Sequence, residues 1–519
     1  MPSPAFSSCC VLLLALLPAA RASDFNGDGY PDLVIGCHGE VVGGQPEAGA
    51  VHVLYGGPGW PASFTEQVLN EQSFGALGQP DEFELFGLAV AGGDFDGDGF
   101  DDLAIAASNE LVDGFKAAGR VYVVYGSATG LNTGHVAAFD QNTKGIKDKV
   151  ESGGFPLFPE LSAETFGRTL AAGDFDADGF CDLALYVGES FGGGAKAKSF
   201  AGAVHILRGS ATGLVVKGNK LLRQGKAGVP GKSLSDGKFG WALLAADLDH
   251  DGVCDLAIGA PGELVPGTVT ILRGKAKKGL TGKHAVVFDE AAAGGTPDPS
   301  TAHHFGETLA LGDFDGSGAT QLVVGAPLLT VANAPYAGGV YVLSLDADLS
   351  IASAQLLTRA TPGIDGGLHE QADFGAALAV GDFDADGLDD LAIGCPGDDL
   401  GALDRAGTVN VLHGSEAGLA GGELLDEDVA GLPDVAEEGD VFGGALASAD
   451  WDGDGRADLA VGAPGESVGT VPLAGGVILL AGSTSELLNL ATAQWLDKSQ
   501  AAIAGSPGEN DNFGSALGG

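Results

Sequence analysis

Positive charge is scarce in this sequence: 25 Lys and Arg stand against 70 Asp and Glu, for a formal net charge of −45. A surface able to neutralise a row of phosphates is not expected from such a balance, which argues against a nucleic-acid partner. Cysteine is also rare. Cys9 and Cys10 fall in an apolar leader, and Cys37, Cys181, Cys254 and Cys395 show no C-x-x-C spacing. Neither a zinc site nor a dithiol redox motif follows from that pattern. The four read as small buried thiols. The one long apolar run, VLLLALLPAA at 11–20, is too short to cross a bilayer. Followed by Ala20-Arg21-Ala22, it makes residues 1–22 read as a secretory signal peptide, although no Lys or Arg precedes it. The expected mature chain is exported, whether secreted, periplasmic or at the cell surface, and has no membrane span. Segments of helical period are missing too, as are the HExxH, phosphate-loop and dinucleotide fingerprints.

What the chain does have is glycine, 88 residues of it, and a repeat. One block recurs seven times, with aspartate-rich loops opening at Asp24, Asp94, Asp174, Asp247, Asp313, Asp382 and Asp450. A short apolar run follows each loop, such as DLAIG at 390–394, and then a Gly-bounded, β-branched run such as GTVNVLHG at 407–414. Both read as strands. A weaker third run follows. A fourth element opens on Phe-Gly, at Phe86, Phe166, Phe239, Phe305, Phe374, Phe442 and Phe513, and leads into the next loop.

Four short strands repeated seven times fit an all-β, seven-bladed β-propeller of four-stranded blades. A linear solenoid would need polar capping repeats, which neither end supplies. Residues 23–519 therefore read as one domain. Its blades fall near 513–519 with 24–82, then 83–163, 164–236, 237–302, 303–371, 372–439 and 440–510. The first loop, DFNGDGYPDLVIG, has no strand before it, and the last Phe-Gly strand, FGSALGG, has no loop after it. Pairing the N- and C-terminal segments into one blade would close the ring and remove its open edges.

The loop pattern is D-x-D-x-D-G-x-x-D. Calcium favours six to eight hard oxygen ligands. Alternation turns the carboxylates at positions 1, 3 and 5 toward one centre, Gly at position 6 permits the sharp turn, and Asp at position 9 closes the site. Five loops carry all four aspartates: Asp94, Asp96, Asp98 and Asp102; Asp174, Asp176, Asp178 and Asp182; Asp247, Asp249, Asp251 and Asp255; Asp382, Asp384, Asp386 and Asp390; Asp450, Asp452, Asp454 and Asp458. The first uses Asp24, Asn26, Asp28 and Asp32. The fifth keeps Asp313 and Asp315 but has Ser317 and Gln321, so a weak or empty site is expected there. About six Ca²⁺ are expected in all, as hairpin staples. An EF-hand would need Glu at position 12, where Ile105 and Ile393 stand.

The Phe-Gly starts, these loops and the Gly-Ala-Pro triplets at 259–261, 325–327 and 462–464 together resemble the FG-GAP repeat family, of the kind that builds the N-terminal propeller of integrin α chains. The resemblance implies a recognition or adhesion module with calcium loops on one face and ligand contacts on the other. The longest connections on that implied ligand face, 140–165 and 187–202, carry Lys144, Lys147, Lys149, Phe155, Phe158, Phe191, Lys196 and Lys198. Residues 116–283 hold 20 of the 25 cations and 16 of the 70 acids, a local net of +4 in a chain otherwise strongly acidic. A protein or anionic glycan partner follows as the expectation.

No catalytic residue is expected. The two G-x-S-x-G matches, 188–192 and 465–469, sit in a strand-to-strand gap rather than at a strand–turn–helix elbow. His303-His304 reads as surface or packing. A polysaccharide lyase-like enzyme and a purely structural matrix protein are the alternatives. Cys181 and Cys254 share a loop position in adjacent repeats, too far apart for a disulfide except near a propeller axis. No bond is expected.

Overall fold

The computed structural model describes residues 22–112, 117–147, 165–188, 200–262, 267–297 and 302–518. The signal-peptide segment thus lies almost wholly outside the described residues. Within them the chain forms seven four-stranded antiparallel sheets, a seven-bladed β-propeller. The innermost strands of neighbouring blades touch one another around the ring. Among the described residues the only helix is a short 3₁₀ segment, Glu71–Leu77, after the first outer strand.

Blade six shows the plan: Ala377–Gly381 innermost, then Asp390–Cys395, Thr408–His413 and Ala420–Leu425 at the rim. The second strand, DLAIGC, is buried along its whole length because other blades cover both of its faces. That is why it reads as a continuous apolar run rather than an alternation. The outer strand AGGELL buries only its last residue fully, and its sequence signal is correspondingly faint. Between blades lie apolar clusters that mix residues of both neighbours. Leu33 and Ile35 of blade one, for example, pack with Val477, Leu479 and Phe513.

Phe-Gly marks the blade boundary. All seven Phe side chains are fully buried. Their following glycines have φ between 80° and 103°, the left-handed region that favours Gly. The approach is also close, since a Cβ on Gly475 would lie 2.3 Å from the Phe513 carbonyl oxygen. The Phe N–H donates across the boundary, as Phe442 does to Ala406 at 2.9 Å and Phe513 to Ala474 at 3.0 Å. This modifies the sequence expectation that the inner strand starts at Phe. In blades four to six the strand begins three or four residues later, at Ala242, Leu309 and Ala377. The Phe backbone is committed to the preceding blade instead.

Blade one closes the ring. Ala516–Gly518 pairs with Leu33–Cys37, in the register Val34↔Gly518, Ile35↔Leu517 and Gly36↔Ala516. Ala50–Tyr55 and Thr65–Leu69 complete the sheet.

Candidate metal loops and surrounding surfaces

Six of the aspartate loops join an inner strand to a second strand and the first leads into the second strand of the closing blade, so all seven lie at one end of the ring. Alternation sends position 2 inward: Phe25, Phe95, Phe175, Phe314, Phe383 and Trp451 are essentially buried, and Leu248 nearly so. Position 5 is exposed in each loop, and positions 1 and 3 are half-buried in most copies, with Asp24 and Asp176 buried. Position 1 gathers the turn, with both Asp24 oxygens accepting from backbone N–H groups, Gly27 at 2.7 Å and Gly29 at 2.8 Å. Gly at position 6 has φ from 77° to 95° in every copy. In the third and fourth loops the carboxylates of positions 1, 3 and 5 place an oxygen each within 4.8 Å of one another; in the second, those of Asp94, Asp96 and Asp102 do. Such a hard, oxygen-only donor set fits Ca²⁺.

The aspartate at position 9 has a second task. Asp102 accepts from Phe95 N–H at 2.8 Å through one oxygen and from Gly126 N–H at 2.8 Å through the other. The same clamp recurs at Asp32, Asp390 and Asp458. It ties the loop to the end of the third strand. Burial pushes the Asp102 carboxyl up to about 8 and those of Asp32, Asp182, Asp255, Asp390 and Asp458 up to about 7. Neighbouring loop carboxylates add to that rise, and the clamping N–H groups oppose it.

The fifth loop satisfies itself. The Gln321 Oε1 accepts from Phe314 N–H at 2.9 Å, keeping half of the clamp, while its Nε2 donates to the Ala319 carbonyl at 2.8 Å. Ala319 is position 7, whose carbonyl would face a cation. Guanidinium groups enter three other loops. Arg208 reaches Asp176 and Asp178, Arg273 reaches Asp249, and Arg456 reaches Asp454. Arg208 and Arg273 come from one register position at the end of the third strand, where Tyr55, Tyr125 and His413 stand in other blades.

Neighbouring loops are laced together. The residue after each clamping Gly donates to the position-2 carbonyl of the preceding loop, as Ser483 does to Phe383 at 2.9 Å. The closing junction keeps this link through Gly57 to Trp451 at 2.8 Å. A second link, from position 8 to the preceding Asp carbonyl (Asp101 to Asp24, 3.1 Å), cannot form there because position 8 of blade one is Pro31.

Basic residues divide between the two ends of the ring. Lys220, Arg273, Lys275, Lys278 and Lys283 line an open groove of about 1080 Å³ beside Asp251, at the aspartate-loop end. These five are not among the lysines expected on the face opposite the loops; the K-A-K-K connection at 275–278 leaves the third strand at the loop end. At the opposite end, Arg168 and Lys238 each approach the Trp241 ring at 4.5 Å. Trp241 follows a Phe-Gly pair, a position that varies among Leu88, Arg168, Glu307, Ala376, Gly444 and Ser515 in the other copies. That variation within a regular repeat was the sequence signal available. Of the expected ligand-face residues, Lys144 and Lys147 follow the outer strand Val136–Phe139, and the Lys147 N–H donates to Asn219 Oδ1 at 3.1 Å. Lys149, Phe155, Phe158, Phe191, Lys196 and Lys198 lie outside the described residues.

The G-x-S-x-G match at 465–469 lies in the turn between two strands, Asp458–Ala463 and Gly476–Gly482, with no helix after it. The other match lies outside the described residues beyond Gly188. His303 is a packing residue rather than a surface one: it is buried, with Nδ1 2.8 Å from the Glu290 carboxylate. Cys37, Cys181, Cys254 and Cys395 are all free thiols. Among the described residues, no helix is long and apolar enough to cross a membrane.

An FG-GAP repeat pattern matches residues 18–54, 86–124, 239–272, 374–412 and 442–480. Blades three and five escape it, although their sheets have the same strand order. The chain is 32% identical to integrin alpha-PS2 of Drosophila melanogaster over 241 residues, 44% of this chain and 15% of that protein. It is 35% identical to phosphatidylinositol-glycan-specific phospholipase D of Rattus norvegicus over 164 residues, 31% of this chain and 18% of that enzyme. These matches span less than a fifth of either relative. Among solved structures, an exotype rhamnogalacturonan lyase overlays 97% of this chain and 86% of its own at 13% identity, with a TM-score of 0.40. That likeness is too loose to argue from.

Proposed function

We propose that this chain, a propeller built of FG-GAP repeats, is an exported, calcium-stabilised recognition module that binds an anionic ligand without catalysis. The observation that carries the ligand class is the blade-four groove, where five cations line one open cleft of about 1080 Å³ with Asp251 and Asp348 as its only acids. The groove sits in the cationic sector of a chain whose net charge is −45, so field and shape favour the same ligand. Lys220 is already held by the Lys278 and Leu280 carbonyls at 2.6 and 2.8 Å, which fixes the cleft wall. Lys275, Lys278 and Lys283 remain to meet carboxylate or sulfate groups.

In this reading six loops each hold one Ca²⁺, and the chain's own carboxylates supply the charge. Positions 1, 3 and 5 face the ion, and position 9 holds the hairpin to the third strand. A bound cation would favour the ionised form of carboxyls that burial now pushes up to about 7 or 8. The similarity to an integrin α chain and to a phosphatidylinositol-glycan-specific phospholipase D supports a role outside the cell.

Titration calorimetry with polygalacturonate, heparin and poly-glutamate tests the ligand class. The triple variant Lys275→Glu, Lys278→Glu, Lys283→Glu should weaken binding at least about tenfold, and binding should fall as salt rises. Equal affinity for the triple variant would overturn the reading. The preferred probe separates a glycan from a peptide ligand.

A further inference from the structure

At the end of the ring away from the aspartate loops, three register positions come together at the five blade boundaries where all three are described. One lies two residues past the last buried apolar residue of an outer strand. Another lies two residues before the next blade's Phe. The third lies eight residues past that blade's last loop residue. At the junction of blades seven and one these are Lys498, Asp511 and Glu40, and the Lys498 ammonium lies 2.8 Å from Asp511 and 3.1 Å from Glu40. At the junction of blades five and six, Arg359 pairs with Asp398. Between blades four and five, Glu290 meets His303 at 2.8 Å. In all three, a basic side chain answers an acidic one.

Two junctions break this rule. Between blades one and two the positions hold Glu71, Glu84 and Glu110, and between blades six and seven they hold Glu427, Asp440 and Glu466. All six residues are at most 5% exposed. Glu71, Glu84 and Glu110 place one oxygen each within 4.8 Å of one another. Asp440 lies against both Glu427 and Glu466. Both carboxylate oxygens of Glu71 and both of Glu427 lack any hydrogen-bond partner, and one oxygen each of Glu84, Glu110 and Glu466 is bare as well. Arg120 answers only the other oxygen of Glu110. Burial, with the mutual charges adding, pushes Glu427 up to about 10 and Glu466 up to about 9. Buried acids in this state need a positive partner or a proton.

We propose that each of the two all-acid junctions binds a divalent metal cation, in the place that Arg359 and Lys498 fill at the junctions on either side of Glu427. The donor set is carboxylate oxygen only, which suits Ca²⁺. These sites are separate from the loop sites, because a strand of five or six residues, roughly 17–20 Å, lies between the two ends of a blade. The acidic sector has few cations to spend. Outside residues 116–283 the described chain holds only Arg359, Arg405, Arg456 and Lys498, and two of them already plug junctions.

The test counts Ca²⁺ on the full chain by equilibrium dialysis and atomic emission. Glu427→Lys should lower the count by one and raise the melting temperature in EGTA, since an ammonium then answers Asp440 and Glu466. The isosteric Glu427→Gln should also lose one Ca²⁺ and serves if the lysine variant misfolds. An unchanged count in both variants means that protons neutralise the junction, and it overturns the proposal. The difference between chains is read whatever the loops bind, so failure here is distinguishable from failure of the loop sites.

Discussion

The Lys498 ammonium stands 3.1 Å from the Glu40 carboxylate, across the boundary that joins the last complete blade to the first. Asp511 lies 2.8 Å from the same nitrogen, and Lys498 is only 4% exposed. One buried cation thus holds the closing blade from both of its chain segments. Lys498→Ala leaves the buried Asp511 carboxylate without a cation and Glu40 with His52 alone, and should cost about 3–5 kcal/mol. Urea unfolding measures it. A loss under about 1 kcal/mol would show that the seam does not depend on this lysine.

The fifth loop should bind no Ca²⁺ because Gln321 occupies the Ala319 carbonyl. The double variant Ser317→Asp, Gln321→Asp restores the pattern of its relatives and should add one bound ion. Dialysis against labelled Ca²⁺ reads the difference. No gain would mean that the third and fourth carboxylates are not what the loop lacks.

Arg208 spans Asp176 and Asp178 in the third loop, so an entering cation must displace a guanidinium. Arg208→Ser should tighten Ca²⁺ at that loop several-fold and leave the second loop, with Tyr125 at the equivalent place, unchanged. Terbium luminescence competition on single-loop variants would show it.

Much of this architecture is legible in the chain. Phe-Gly at each blade start and Asp at loop positions 1 and 9 recur with the fold's own period, and the unpaired DFNGDG and FGSALGG segments point to the closing sheet. The clamp made by Asp102 was not legible, because its second partner, Gly126, is a backbone group 24 residues away. The junction sets were hidden for a similar reason. Glu427 and Asp440 stand near the two ends of one long connection and Glu466 lies in another, so nothing local links the three. Basic residues were legible as a sector but not by face, since Arg273 and Trp241 lie at opposite ends of the same blade.

His52 and His205 hold one register position in the third strands of blades one and three, with opposite charge preferences. Glu40 and Glu66 flank His52 and raise its pKa against the opposing effect of burial. Burial, with Lys147 adding, pushes His205 down to about 4, and neither ring nitrogen has a partner. A lowered folded-state pKa contributes stability that is present above the ordinary value of 6.5 and is lost as pH falls toward 4. His205→Asn, the residue type of Asn410 at the equivalent place, should therefore remove at most about 3 kcal/mol of acid sensitivity over that window. Stability of both chains against pH, at fixed Ca²⁺, checks it. Parallel curves would contradict it.

The most direct measurement is calorimetric unfolding of the whole chain at neutral pH in millimolar Ca²⁺ and in EGTA. A loop saturated 1,000-fold above its Kd adds about 4 kcal/mol. Six such loops on a chain of this length should raise the melting temperature by about 20 °C, in one cooperative transition. Superimposable curves in the two buffers would contradict the account, because aspartate loops that leave stability untouched are turns and not metal staples.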